Sequence, residues 1–359
     1  FNDHKGNKST AIGHNTLVTQ DFTTSTDTLN TAVGYSAGNG VTVGKSNTLI
    51  GALAGDALTD ADFNIAIGSQ ALTGDTLGSR SVAIGQHALQ VQNFTTATDV
   101  YNVAVGYDAG VAVTTGTRNT IIGGLAGDAL TTGSFSVAVG YAALSTEDTA
   151  DNNTAVGYAA LTTLNGGAKN TAVGQSAAAA MTTGVNNTIV GTNAGDALTD
   201  ADFNVALGVS ALTTDTLGSR TTAIGTNALF SQNFTTATDS NNTAVGFEAG
   251  AAITTGTLNT LVGADAGKAL TNSPLNTAVG YSALSAATTG DLNTAIGAYS
   301  LSTNILSDRN VALGYQALQT HNVATNADAY NTAVGFFAGR LITTGVENTL
   351  VGGLAGDSL

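Results

Sequence analysis

The sequence predicts an all-β protein folded as a parallel β-solenoid of about twenty coils. Three observations predict this class: one short motif recurs throughout the 359 residues, its copies are spaced by 17 or 21 residues, and 42% of the residues are hydrophobic whereas only 10% are charged. Disordered chains usually combine low hydrophobicity with high charge, which is the opposite composition. A fixed short period is the signature of a repeat architecture.

The repeated motif is Asn-Thr-Ala-Val-Gly, followed three residues after the glycine by Ala. Its glycine occurs twenty times, from Gly13 to Gly352, with fifteen steps of 17 residues and four steps of 21. We therefore interpret 1–359 as a single continuous repeat domain. Because the chain starts inside the pattern, we expect a fragment of a longer fibre that continues end to end into further coils.

A longer repeat is superimposed on the short one. Segment 47–130 aligns with segment 187–270 at an offset of 140 residues, and about two-thirds of the aligned positions are identical. A duplication of this kind lengthens a solenoid without creating a new site.

The Thr-Ala-Val part of the motif predicts a short strand, because it is rich in small and β-branched residues. The apolar neighbours Ala and Val indicate that both faces of the strand are buried, one inside the coil and one against a further chain, so a homo-oligomer is predicted. The predicted structural core is the Val or Ile column that precedes the glycine, which includes Val33, Ile50, Ile67, Ile84, Val105, Ile122, Val139, Val156, Val173 and Val190.

The invariant glycine of the motif predicts a bend or a close approach between backbones. The recurring asparagine predicts a turn, with side chains stacked in a hydrogen-bonded ladder along the solenoid. A coil of one strand and one helical turn, opened by Gly-Tyr-Ser-Ala-Leu, is the alternative. It is disfavoured because the rest of each repeat is rich in Thr and Gly, which are poor helix formers.

Two stretches, Ser81-Val82-Ala83-Ile84-Gly85 and the motif at 276–284, resemble the head repeats of YadA-like trimeric autotransporter adhesins, and similar arrays occur in phage tail-fibre proteins. The resemblance covers all twenty repeats, although the repeat here is longer than the usual adhesin head repeat. It implies a left-handed parallel β-roll in which three chains form a homotrimer, with Val and Ile inside each roll and Ala facing the trimer interior. It also implies an extracellular or virion-surface fibre that attaches to a host cell or surface.

The four 21-residue steps insert four residues each and fall at 14–33, 86–105, 226–245 and 315–334. Insertions into a solenoid form loops on one face, often the binding face. Contact with a host-surface glycan or receptor is one interpretation of their apolar residues, and local packing against the coil or a sister chain is the other. The candidate contact residues are Phe22, Phe94, Phe234 and Val323.

The residue directly after the motif glycine is aromatic in eight coils, and together these residues form an interrupted row. As for the insertions, two interpretations of this row are open. Such a row can bind sugars, and it can also fill grooves. Its members are Tyr35, Tyr107, Tyr141, Tyr158, Phe247, Tyr281, Tyr315 and Phe336.

Several function classes are disfavoured by composition. A net charge of −15 argues against binding to nucleic acid, which needs Lys and Arg to displace counterions. No run of 18 apolar residues occurs, so no membrane insertion is predicted for this segment. The recurring aspartates Asp56, Asp128, Asp196 and Asp357 do not form a calcium motif, so neither a metal site nor a cofactor is predicted.

The repeats also argue against an enzyme. Catalysis needs one unique constellation of side chains, and the sequence offers twenty near-identical units instead. The four histidines, His4, His14, His87 and His321, follow no repeat and suggest no catalytic pair. A structural spacer without a ligand site stays an alternative to the attachment fibre, and an ice-binding face formed by the threonine columns is a minor one.

Overall fold

The structure is a computed structural model that describes residues 5–323, 325 and 327–359. It confirms an all-β parallel β-solenoid of about twenty coils, and the described residues contain no helix. The chain forms two compact units, the first ending at Ser176 and the second running from Ala177 to Leu359. Each unit is described by itself.

The first unit contains fourteen short strands. They are β1 Gly6–Asn7, β2 Thr10–Ile12, β3 Thr26–Asp27, β4 Thr31–Val33, β5 Thr48–Ile50, β6 Ile65–Ile67, β7 Gly78–Ser79, β8 Val82–Ile84, β9 Thr98–Asp99, β10 Val103–Val105, β11 Thr120–Ile122, β12 Val137–Val139, β13 Thr154–Val156 and β14 Thr171–Val173.

The second unit contains twelve strands of the same kinds. They are β15 Thr188–Val190, β16 Val205–Leu207, β17 Gly218–Ser219, β18 Thr222–Ile224, β19 Thr238–Asp239, β20 Thr243–Val245, β21 Thr260–Val262, β22 Thr277–Val279, β23 Thr294–Ile296, β24 Val311–Leu313, β25 Thr332–Val334 and β26 Thr349–Val351.

The three-residue strands, here called ladder strands, pair in parallel with the ladder strand of the next coil in each unit. Equivalent positions of the motif lie opposite one another, as in the pairing of β12 with β13, where Ala138 lies opposite Ala155. Because every pairing keeps this register, each motif position forms a straight column along its unit.

The interior of each coil is filled by the middle residue of the ladder strand. Ala138, Ala155 and Ala172 are at most 1% exposed. Side chains alternate between the two faces of a strand, so the residues on either side of the alanine point outward.

The expectation that the Val and Ile column fills the roll is therefore wrong. A three-residue strand centred on alanine directs only one side chain inward, so the column before the glycine lies on the outside of the coil. The ten residues predicted as core are half-buried or exposed in this chain: Val33, Ile50, Ile67, Ile84, Val105, Ile122, Val139, Val156, Val173 and Val190.

The remaining core volume is supplied after the glycine, where ten of the twenty coils place a buried Leu, as at Leu144. When the middle residue of the strand is itself large, the Leu position is occupied by glycine, as in the pair Leu49 and Gly55. A Cβ at Gly55 would lie 2.8 Å from Cδ2 of Leu49. Because a large residue at one of these two positions is matched by a small one at the other, the side-chain volume in the core stays nearly constant, as close packing requires.

The recurring asparagine forms the predicted ladder within each unit. The backbone N–H of Asn47 donates to Oδ1 of Asn30 at 2.9 Å, and Nδ2 of Asn47 donates to the carbonyl of Ala61 at 2.8 Å. The same two bonds recur at Asn276, whose N–H donates to Oδ1 of Asn259. Asn47 and Asn276 are buried, and each bonds to the coil before it and to the coil after it.

Candidate functional site

The outer side of the ladder strands, here called the ladder face, is the largest regular surface feature of each unit. It consists of two outward columns, one of Thr, Val or Ile and one of Val, Ile or Leu. Ile50, Ile122, Leu207 and Leu313 of the second column are 37–45% exposed. None of the twenty strand triplets contains a charged residue, so the face is uncharged in each unit, with aliphatic side chains in the second column and mostly Thr in the first.

The predicted aromatic row lies on the surface. All eight members are 41–57% exposed, and neighbouring rings stack where the row is uninterrupted. The ring centroids of Tyr141 and Tyr158 lie 5.8 Å apart, and those of Tyr315 and Phe336 lie 5.6 Å apart. About half of each side chain is therefore accessible to solvent.

The aromatic residues of the first three insertions are not on the surface, which corrects their assignment as ligand contacts. Phe22, Phe94 and Phe234 are only 6–8% exposed, so they pack inside the coil. A loop with four extra residues encloses more space than a 17-residue coil, and the ring occupies it. The local-packing interpretation therefore applies to these three residues.

A buried polar network lies beneath the second insertion. Oδ1 of Asp75, in the preceding coil, accepts hydrogen bonds from the N–H groups of Gly78 and Phe94, both at 3.0 Å. Oδ2 accepts one from Nε2 of Gln92 at 2.6 Å, and Oε1 of Gln92 accepts one from Nδ2 of Asn102. Burial raises the pKa of Asp75, and the hydrogen bonds from Gln92 and the backbone oppose that shift.

The second unit repeats this network at the third insertion. Oδ2 of Asp215 accepts a hydrogen bond from Nε2 of Gln232 at 2.6 Å, and Oδ1 accepts one from the N–H of Phe234 at 3.0 Å. The insertion loop is thus held from inside by a carboxylate that belongs to the coil before it.

The fourth insertion departs from this pattern. His321 takes the place of the buried glutamine, and its Nε2 lies 3.4 Å from Nδ2 of Asn331. Burial lowers the pKa of His321. Val323, the candidate contact residue of this insertion, is half-buried. Ala324 and Asn326 of the same insertion lie outside the described residues.

Every insertion is also held from outside by an ion pair with the preceding coil. The residue immediately before the first position of the motif is a cation, and it pairs with an aspartate of the insertion. A short parallel strand pairing, such as that of β7 with β9, lies beside the ion pair. The four pairs are Lys8–Asp27, Arg80–Asp99, Arg220–Asp239 and Arg309–Asp328. The described residues of the insertions therefore form docked segments.

Sequence reasoning missed the column that supplies these cations. The residue immediately before the motif asparagine has positive φ in every described coil, including Phe63 at 59° and Arg80 at 64°. Its side chains are exposed, and the Arg80 guanidinium lies 4.9 Å from the centre of the Phe63 ring, a cation–π contact. The recurrence of large apolar and basic residues at this position was the available signal.

The recurring aspartates make local contacts. Oδ1 of Asp56 accepts a hydrogen bond from the Thr73 hydroxyl, Asp196 does the same with Thr213, and Asp357 pairs with Arg340. Burial and the nearby Asp108 carboxylate raise the pKa of Asp128. The described part of the chain contains no cluster of three or more His, Cys, Asp or Glu suited to a metal ion.

The histidines are scattered, and each has a different environment. His14 stacks on Tyr35 with ring centroids 5.7 Å apart, and Nδ1 of His87 lies 2.8 Å from Oδ1 of Asp108. His4 lies outside the described residues. Among the residues the structure covers, no helix is long and apolar enough to span a membrane.

Comparison with known proteins adds no relative. No protein-family model matches the chain, and no curated protein sequence is significantly similar to it. The likeness to YadA-like head repeats and tail-fibre arrays therefore rests on the repeat motif itself. What this chain does has to be argued from its surfaces.

Proposed function

We propose that the chain is the shaft or head of a trimeric extracellular fibre, of the adhesin or phage tail-fibre kind, that mediates attachment to a host cell or surface. The observation that carries this proposal is the ladder face. An uncharged surface of this regularity, with an exposed aliphatic column, on a chain of net charge −15 is typical of an interaction site. Copies of an acidic chain repel one another least where they meet through an uncharged face.

A second copy of the same chain is the occupant that fits this face best. The ladder face repeats with the strand spacing of a parallel sheet, about 4.8 Å. Only a partner with the same spacing matches it in register over many coils, and the chain itself has that spacing. The three-fold arrangement, the extracellular location and the attachment role come from the resemblance to adhesin and tail-fibre repeats.

Oligomeric mass in solution tests the proposal. We expect the wild-type protein to be a trimer by light scattering, and Val262→Glu with Val279→Glu to shift it to a monomer, because both residues lie on the ladder face. The matched control is Leu258→Glu with Leu275→Glu in the same two coils. Those leucines are exposed at the positive-φ column, where Glu347 occurs naturally, so the control is expected to stay trimeric.

A wild-type monomer, or a trimer insensitive to Val262→Glu with Val279→Glu, would contradict assembly through the ladder face. Attachment is measured separately, by binding of the labelled oligomer to an array of cell-surface glycans. An oligomer that binds no glycan on the array supports the alternative of a purely structural spacer. The burial of Phe22, Phe94 and Phe234 favours that alternative, since it removes three candidate contacts.

Ice binding is a second, minor candidate, supported by the outward direction of the threonine column. Fourteen of the twenty ladder strands begin with Thr, but Ile65, Val82 and Val103 interrupt the column. Thermal hysteresis of the wild-type protein tests it directly. Absence of hysteresis at millimolar concentration would dismiss this function and leave the fibre proposal unaffected.

A further inference from the structure

The second unit carries a groove that the repeat does not require. It lies across three successive coils, after the motif glycines Gly225, Gly246 and Gly263, and its volume is about 450 Å³. That volume falls within the range of about 300–1,000 Å³ that is typical of small-ligand sites. The groove residues follow the glycine turn in each coil and do not belong to the ladder face, so assembly through that face leaves the groove open.

The walls of the groove combine one aromatic ring with a small apolar floor. Phe230 is 39% exposed, and Ala251, Ala252 and Ala269 complete the apolar part of the lining. Phe230 stands at a motif position where most coils carry a polar or small residue, for example Thr73 and Ser285. An exposed ring at this place adds nothing to the coil core, and it provides a flat surface for a ligand.

The rest of the groove lining is polar and charged. Nζ of Lys268 lies 2.5 Å from Oε2 of Glu248 and 3.1 Å from Oδ1 of Asp265. Asn227 adds an amide to the lining. The charged cluster therefore supplies both donors and acceptors, while its two carboxylates outnumber the single ammonium.

The internal duplication provides a natural comparison. The residues 140 positions earlier are His87, Gln90, Val91, Asp108, Val111, Ala112, Asp128 and Ala129, and six of these eight differ from their groove counterparts. About one-third of positions differ over the whole duplicated segment. The aromatic ring of Phe230 and the ammonium of Lys268 therefore occur only in the later copy.

We propose that this groove binds an uncharged pyranose unit of a surface saccharide, with the sugar ring stacked on Phe230 and its hydroxyls bonded to Glu248, Lys268 and Asn227. A pyranose has one flat apolar face and a rim of hydroxyls, which matches an aromatic wall opposite mixed donors and acceptors. The net negative charge of the cluster disfavours acidic sugars. The inference deepens the proposed attachment function and rests on it.

Saturation-transfer NMR tests the groove with methyl β-glucopyranoside, methyl β-galactopyranoside and N-acetylneuraminic acid as probes. We expect at least one neutral glycoside to receive saturation from the full chain and the acidic sugar to receive none. Phe230→Gln is expected to reduce the signal at least fivefold. The Phe230→Gln variant is expected to fold, because Gln90 occupies the equivalent position of the first unit.

Phe203→Ala is the matched control, since Phe203 is an exposed aromatic of the same unit outside both the groove and the aromatic row. A signal that survives Phe230→Gln unchanged, or no signal from either neutral glycoside at tens of millimolar, would overturn the proposal. Wild-type and Phe230→Gln oligomers are then compared on the glycan array. If the two oligomers bind the array equally, attachment depends on another surface and only the groove inference is refuted. If the groove binds sugar but the chain is a monomer, only the fibre proposal is refuted.

Discussion

The backbone of Gly123 lies so close to the carbonyl oxygen of Gly140, one coil later, that a Cβ at Gly123 would lie 2.4 Å from that oxygen. Gly123 also has a φ of +135°, a conformation that L-residues rarely adopt. Equivalent contacts recur along the glycine column of each unit. The column therefore sets how closely successive coils stack.

Replacing Gly123 by Ala is expected to destabilise the fold by at least about 2 kcal/mol, because strained backbone and steric overlap add together. The neighbouring Gly124→Ala is the control. A Cβ there would meet only the Tyr141 ring at 3.7 Å, and its φ is ordinary. Urea unfolding followed by circular dichroism measures both variants, and equal losses would contradict the close-approach argument.

The asparagine ladder leads to a second prediction. Asn119→Ala leaves the N–H of Ser136 and the carbonyl of Gly133 without their side-chain partners in a buried site. We expect a loss of about 2 kcal/mol or more in the free energy of unfolding. Ser136→Asn should instead stabilise the protein by about 1 kcal/mol, since it restores the amide that most other coils carry. A neutral effect of both changes would show that the ladder is dispensable.

The buried insertion rings lead to a third prediction. Phe94→Ala is expected to cost about 3–5 kcal/mol of stability, because it opens a cavity in the coil. Phe135→Ala is the control: that ring is 51% exposed, and its main contact is with the Arg118 guanidinium at 5.3 Å. The control should cost less than about 1 kcal/mol. Thermal unfolding of the two variants, with glycan binding measured in parallel, separates a packing role from a contact role.

His321 predicts a pH-dependent stability. Because burial lowers its pKa in the folded state, the unfolded chain binds the proton more readily, and stability falls as the pH decreases through about 6.5. Glutamine occupies this position in the other three insertions, as Gln20, Gln92 and Gln232. Like His321, Gln92 accepts a hydrogen bond from the motif asparagine of its own insertion.

His321→Gln should therefore match the wild type at pH 8 and exceed its stability at pH 5. Urea unfolding at pH 5, 6.5 and 8 checks this expectation. The decisive quantity is the difference in pH dependence between the two proteins, since the other histidines contribute equally to both. Identical slopes would mean that His321 does not titrate on unfolding.

Much of the coil was predictable because its constraints are local. The 17-residue period, the close approach at Gly123 and the ladder that includes Asn47 follow from residue types that are fixed at fixed positions. Those residue types have few structural uses: glycine permits positive φ, and asparagine bonds the backbone on both sides. The absence of a helix from the described residues agrees with the low helix propensity of the Thr- and Gly-rich segments.

Whether the side chains of a column point into the coil or outward was not predictable in the same way. Ala138 and Val139 are adjacent apolar residues, and a shift of one residue in a strand exchanges the inner and outer faces. Val139 was predicted to fill the coil, and the structure places Ala138 there instead. The bend at the glycine and the leucine after it decide that the alanine points inward.

By itself, the sequence determined the repeat, the parallel stacking of its strands and the positions of the four insertions, because these depend on spacing along the chain. Only the tertiary structure decided that Val139 faces outward, that Phe94 is buried, and that Phe230 and Lys268 line one groove. Those features depend on which residues of different coils come together in space. Residues 17 to 38 positions apart become neighbours only once the coils have stacked.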